Sequence, residues 1–207
     1  MREYLLEPIP EFEVATDYLS ESADALLRGN LDAGRDYLIQ ADIPALMEFT
    51  IRVVGPLSVE VHRNTTLPEV LPKEDRIAQR MPSFPKRSAL YDRDGWRCRF
   101  CGIRVISTKA RSTFRKLFPA EIRWDGPEYE RHAALYATAV SLDHVVPHSR
   151  GGDNDEANLV TVCFCCQHGR GQWLLDEMEL YDPRERPPIV DSWDGLRRIE
   201  AYPLASA

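Results

Sequence analysis

The chain has 207 residues, with 26 Lys and Arg against 33 Asp and Glu, a formal net charge of −7. Acid surplus argues against a polyanionic partner, and no apolar run approaches the roughly 20 residues of a membrane span. The excess is uneven, however: residues 1–75 hold 6 basic and 15 acidic side chains, residues 76–124 hold 13 and 3, and residues 125–207 hold 7 and 15. A strongly basic middle segment therefore lies between acidic flanks, and charge alone does not exclude nucleic acid.

The hydrophobic fraction of 43% and charged fraction of 29% are those of ordinary globular material. The start, MREYLLEPIPEFE, is acidic where a secretory leader has a basic end and an apolar core, so a cytoplasmic protein is expected. Five cysteines, odd in number and clustered in two places, do not form the framework of a secreted disulfide domain. Clustered thiols in a reducing compartment point to a metal.

Residues 1–56 read as a helical module. Val14, Tyr18, Leu19, Ala23, Leu26 and Leu27 recur at helical spacing and Gly29-Asn30 stops the run. A second helix is expected over 32–40 and a third over 45–54 after Pro44. Residues 57–85, with Pro68, Pro72, Pro82 and Pro85, read as a connector without a long helix. A short helix is expected near 86–91, ended by Asp94-Gly95.

Cys98-Arg-Phe-Cys101 and Cys163-Phe-Cys-Cys166 are two CxxC pairs. Each such turn sets two thiolates on one side of a tight loop, so together they offer the four sulfurs of a closed tetrahedral zinc site. A Cys163-x-Cys165 pairing is a poorer geometric alternative. The zinc would tie residue 98 to residue 166 and replace apolar core.

Between the pairs an apolar, β-prone stretch ends in Asp143-His144, followed by Pro147, a polar loop with Gly151-Gly152, and a second strand-like run from Asn158 into the distal cysteines. A helix is expected over 171–180. Between the proximal cysteines and Asp143 lies a long stretch, about 103–140, whose first part interleaves Lys109, Arg111, Arg115 and Lys116 with Phe114 and Phe118. Cations alternating with aromatics suit a sugar-phosphate backbone and its bases. The second part, 128–140, reads as a helix.

Four pieces, Arg-Asp-Gly-Trp-Arg-Cys-Arg-Phe-Cys-Gly at 93–102, Leu-Asp-His-Val-Val-Pro at 142–147, Ser-Arg-Gly-Gly at 149–152 and Asn-Leu-Val-x-x-Cys-x-x-Cys at 158–166, resemble the zinc-containing branch of the HNH endonuclease family. The resemblance covers about 85–180. It implies a zinc-braced ββα-metal domain over 86–182 with an insertion at about 103–140; with the helical N-terminal module read from periodicity and a tail over 183–207, neither reached by the resemblance, the chain is expected to be α+β.

It also implies a metal-dependent endonuclease acting on DNA phosphodiesters. His144, neutral near pH 7, suits the general base, and Asp143 suits a catalytic Mg²⁺ or Mn²⁺. Asn158 would fix the loop that carries the histidine. The chain departs from the family pattern after Cys166, where Gln167 and then His168 stand in place of the usual Asn or His that completes the catalytic site. Arg150 and Arg170 are expected on phosphate. The alternative is a zinc-stabilised nucleic-acid-binding module that cuts weakly for want of that last ligand. The N-terminal helices are free in either reading to recruit a protein partner.

Overall fold

A computed structural model describes residues 5–54, 68–78 and 81–204. Three helices come first: α1 (Glu11–Leu27), α2 (Leu31–Ala41) and α3 (Pro44–Val54). Their stripes of Ala15, Leu19, Ala23 and Leu26, Leu38 and Ala41, and Leu46, Phe49 and Val53 are buried, as the periodicity requires. The side chain of Asn30 caps α2 by accepting from Ala33 N at 3.0 Å, and Ser22 Oγ donates to Gly34 O at 2.6 Å, locking α1 onto α2.

The second half is built from α4 (Phe84–Arg93), α5 (Thr108–Leu117), α6 (Ala133–Ala137), strand β1 (Val140–His144), strand β2 (Leu159–Cys163) and α7 (Phe164–Arg170). β1 and β2 pair antiparallel with Asp143 opposite Val160 and His144 opposite Leu159. This is an α+β chain: a helical N-terminal region followed by a small two-stranded sheet, its helix and a cysteine cluster. No helix among the described residues is long and apolar enough to cross a membrane.

The two halves share one apolar core, running from Phe12 to Ile199. Phe12 and Phe49 meet edge to face at 5.2 Å, and with Val53 they face Cys101, Ile103 and Cys163. Thr50 Oγ1 lies 3.5 Å from Cys165 Sγ, which joins α3 to α7. The N-terminal helices therefore form one wall of the cysteine cluster.

Two expected helices are absent, for identifiable reasons. Over 128–140 the chain makes a 3-10 turn at Glu128–Glu130, then the five residues of α6, and Val140 already belongs to β1. His132 starts α6 by accepting from Leu135 N, while Ile106 draws Val140 into an extended conformation by accepting its N–H at 3.2 Å. Over 171–180 only the turn Asp176–Met178 is helical. Backbone groups that a helix would need are taken by side chains: Trp173 O accepts from Arg170 Nη1 at 2.9 Å, and Leu174 N donates to Glu177 Oε2 at 2.8 Å.

The tail folds back as a structural strap. Trp193, Leu196 and Ile199 are buried, Trp193 Nε1 donates to Val105 O at 3.0 Å, and Arg198 pairs with Asp24 on α1 at 2.7 Å. Gly195 (φ 65°) lies flat on Trp96, where an added Cβ would come within 2.1 Å of the ring. The expected connector at 57–85 falls partly outside the described residues; of its described parts, 68–78 runs past the loop after β1, with Leu71 N donating to Ser149 O at 2.8 Å, and 81–85 leads into α4, which begins at Phe84.

Candidate nuclease site and cysteine cluster

Cys98, Cys101, Cys163 and Cys166 bring their four sulfurs within 4.8 Å of one another. Zn–S bonds of ~2.3 Å in a tetrahedron put sulfurs ~3.8 Å apart. Cys101 and Cys163 are separated by 3.8 Å, a spacing that fits a zinc ion and not a disulfide. The proximal turn closes through Gly102 N donating to Cys98 O at 2.8 Å, and Cys166 N donates to Cys163 Sγ at 3.4 Å. The thiols polarise one another: accepting from Cys101 holds Cys163 well below the thiol range, and Cys101 and Cys166 are pushed well above it. Cys165 lies outside this set, against Thr50.

Asp94, of the Arg-Asp-Gly stretch, braces the cluster. Wholly buried, it accepts from Thr161 N at 2.8 Å and pairs with Arg93 at 3.0 Å and Arg99 at 3.3 Å, tying the proximal cysteine turn to β2. In the sequence Asp94 reads as the end of the short helix near 86–91 and as part of the Arg-Asp-Gly stretch, with no local sign of this bracing role.

On the far side of β2 lies a cleft of about 430 Å³ whose walls include Asp143, His144, Gln167, His148, Lys73 and Arg76. β1 delivers Asp143 and His144 at its end, where both are nearly covered, at 8% and 4% exposure. Asp143 Oδ2 accepts from Arg170 Nε at 2.6 Å, while Oδ1 has no hydrogen bond among the described residues. His144 Nε2 lies 3.0 Å from Asn154 Oδ1. An amide oxygen only accepts, so Nε2 is the donor in this contact.

Asn158 sits at the start of β2 and spans the loop after β1. Its Oδ1 accepts from Val146 N at 2.8 Å, and its Nδ2 donates to Val146 O at 3.2 Å and Asp153 O at 3.0 Å. Gly152 is required beside it, because a Cβ there would lie 1.7 Å from Val146 O. Loop, asparagine and glycine together hold the segment that follows the histidine in one shape.

The remaining expected site residues divide. Gln167 borders the cleft and donates weakly to Leu142 O at 3.5 Å; the adjacent His168 instead lays its ring on Phe164 at 4.2 Å and is not among the cleft-lining residues. Arg170 does not reach the surface expected of a phosphate contact: it is fully buried, and besides Asp143 it donates to the carbonyls of His144, Val145 and Trp173. Four acceptors converge on this side chain because α7 aims it back into the end of β1. Arg150 is held bidentate by Glu177 at 2.9 and 3.0 Å, so its charge is largely matched. Lys109 lies over Phe84, Lys116 is exposed, and Arg111 and Arg115 lie on Trp124.

Sequence reading missed Lys73 and Arg76 at the cleft, and Asn154 as the partner of His144. Asn154 stands in a polar loop with nothing to distinguish it from its neighbours, and the two cations lie in the proline-rich connector.

A family model described as HNH endonuclease matches residues 130–171, which hold α6, β1, the Asn158 loop, β2 and α7. No curated protein and no solved structure matches the chain. Residues 130–171 therefore match an HNH endonuclease domain, a match that supports nuclease activity in general, and the chain holds a cysteine cluster suited to a metal such as zinc.

Proposed function

We propose that this domain hydrolyses DNA phosphodiester bonds in a metal-dependent reaction, with His144 as general base and Asp143 as a ligand of the catalytic ion. The observation that carries the reading is the placement of Asp143, His144 and Gln167 on the walls of one cleft at the end of β1. His144 takes a proton from water at Nδ1, while Asn154 holds the Nε2 proton and so the tautomer. Asp143 Oδ1 and the carboxamide oxygen of Gln167 are hard donors suited to Mg²⁺ or Mn²⁺, which would neutralise charge on the phosphate and on the departing oxygen. Lys73 and Arg76 border the cleft and offer positive charge to the flanking phosphates. A zinc ion held by the four cysteines would be structural, since protein sulfurs would supply all four of its ligands.

One observation favours a second reading, a nucleic-acid-binding module with weak cleavage. The buried guanidinium of Arg170 already neutralises Asp143, which lowers the attraction of that carboxylate for a dication.

Incubating the purified protein with supercoiled plasmid and Mg²⁺, Mn²⁺ or Ni²⁺, beside His144→Ala, separates the two. Nicking by the wild type that disappears in His144→Ala, at equal zinc content, supports the nuclease. Binding by both proteins with no nicking under any of the three ions overturns it in favour of the binding module.

A further inference from the structure

The insertion between Cys101 and Asp143 places three guanidinium groups around a single indole. The guanidinium carbons of Arg111, Arg115 and Arg131 lie 5.1, 4.5 and 5.5 Å from the centre of the Trp124 ring, and Arg131 is also 5.1 Å from that of Tyr136. Arg111 and Arg115 come from successive turns of α5, Arg131 from the residue before His132. Mutual repulsion should disperse three cations, and stacking on one half-buried ring is what holds them.

The cluster is short of counter-charge. Its sole ion pair among the described residues joins Arg131 to the exposed Glu128 at 3.4 Å, and Arg131 Nε is buried with no hydrogen-bond partner. Burial first, then the charges of Arg115 and Arg131, lowers the pKa of Arg111. Ring-stacked guanidiniums keep their N–H forks directed edgewise, the geometry that meets phosphate oxygens in pairs.

An aromatic path leads from this cluster to the cleft. Trp124 meets Tyr136 edge to face at 6.3 Å, Tyr136 lies 4.4 Å from Phe164, and Phe164 4.2 Å from His168, the neighbour of cleft-lining Gln167 on α7. The path spans a few nucleotides at ~3.4 Å of rise per step.

We infer that Arg111, Arg115 and Arg131, stacked on Trp124, form a second anion site that grips the sugar-phosphate backbone of the DNA strand a few nucleotides from the bond at the His144 cleft. The inference rests on the proposed action on DNA, yet its readout is binding and not cleavage.

The test is fluorescence anisotropy of a labelled 20-base-pair duplex of arbitrary sequence, with no divalent metal added, across a series of salt concentrations. Wild type is compared with Arg115→Gln/Arg131→Gln and with Arg115→Lys, zinc content and circular dichroism reporting the fold. The double variant should bind at least ~10-fold more weakly at 0.1 M salt and show a log–log salt slope shallower by about 2, near 0.9 for each lost phosphate contact. Arg115→Lys keeps the charge and should keep the slope. Should the double variant not fold, single Arg115→Gln, on the surface of α5, carries the test with a slope change of about 1.

Unaltered affinity and slope in a folded variant overturn the site, even where His144→Ala abolishes nicking. Arginine-dependent binding without nicking overturns the catalytic reading and leaves the site standing. A wild type that does not bind the duplex at low salt overturns the site outright.

Discussion

Arg170 donates from Nε to Oδ2 of Asp143 at 2.6 Å, and this pair, 27 residues apart in the chain, fixes the end of β1 against α7. A lone strand end has no reason to turn two successive side chains toward one cleft, because neighbours on a strand point to opposite faces. The guanidinium supplies the reason: it draws in Asp143 while also donating to the carbonyls of His144 and Val145 where the strand ends. Asp143 and His144 thereby border the same space.

Removing that guanidinium should strongly destabilise the domain. Arg170→Met takes the donor from a buried carboxylate, the buried carbonyls of His144 and Val145 and the part-buried carbonyl of Trp173, a loss of about 3–5 kcal/mol. Urea denaturation would show it as a lower midpoint, and the double variant Arg170→Met/Asp143→Leu should recover part of the loss because the unpaired charge is gone. Equal stability of Arg170→Met and wild type would mean that Arg170 is not a clamp.

In the proposed reaction Asn154 acts through His144. Asn154→Ala removes the acceptor at 3.0 Å from Nε2, so the imidazole loses its fixed tautomer and orientation. We expect kcat for plasmid nicking to fall roughly 10–100-fold, the usual scale for losing the partner that orients an imidazole, with KM little altered. Asn154→Asp, which still accepts, should recover more activity than Asn154→Ala. A rise in KM alone would place Asn154 on DNA instead.

The cysteines divide into four and one. Cys98→Ser should release the zinc and unfold the half of the chain that it braces, since structural zinc contributes about 10–16 kcal/mol in small domains. Cys165→Ser should retain one zinc per chain by metal analysis, because its sulfur lies against Thr50 and outside the set. Loss of zinc in Cys165→Ser would show that the distal pair is Cys163 with Cys165.

The CxxC pairs, the Asp-His pair and the helices over 11–54 were legible because each follows from local spacing. The placement of the cations was not. Arg170 and Arg150 read as phosphate contacts in sequence, yet one is buried on Asp143 and the other matched by Glu177, partners 27 residues away. The expected helix over 171–180 failed for the same reason, its backbone groups being claimed by the side chains of Arg170 and Glu177. Nor does any local signal show that Thr50 on α3 packs on Cys165, which merges the N-terminal helices with the half that holds the cysteine cluster. The net charge of −7 was the least informative number, since the basic segment of 76–124 meets its aromatic partners Trp124 and Phe84 only in three dimensions.

His132 sets the pH window of that merger. It is buried, its Nε2 donates to Leu38 O at 3.0 Å and its Nδ1 accepts from Leu135 N, so the neutral ring is satisfied at both nitrogens. Burial holds its pKa below the ordinary value near 6.5, against the pull of Asp42. In the unfolded chain the ring takes up a proton as pH falls through about 6.5, whereas the folded chain resists until its lower pKa is reached. The unfolded state binds more protons in that interval, so stability is full above about 6.5 and declines on acidification until the folded ring also protonates. Thermal melts should therefore show Tm falling between about pH 6.5 and the lower folded pKa, and His132→Gln, which does not titrate, should flatten that part of the curve. The same slope in His132→Gln as in the wild type would assign the acid sensitivity to other groups, the cysteine cluster first among them, since zinc release on acidification is measurable separately.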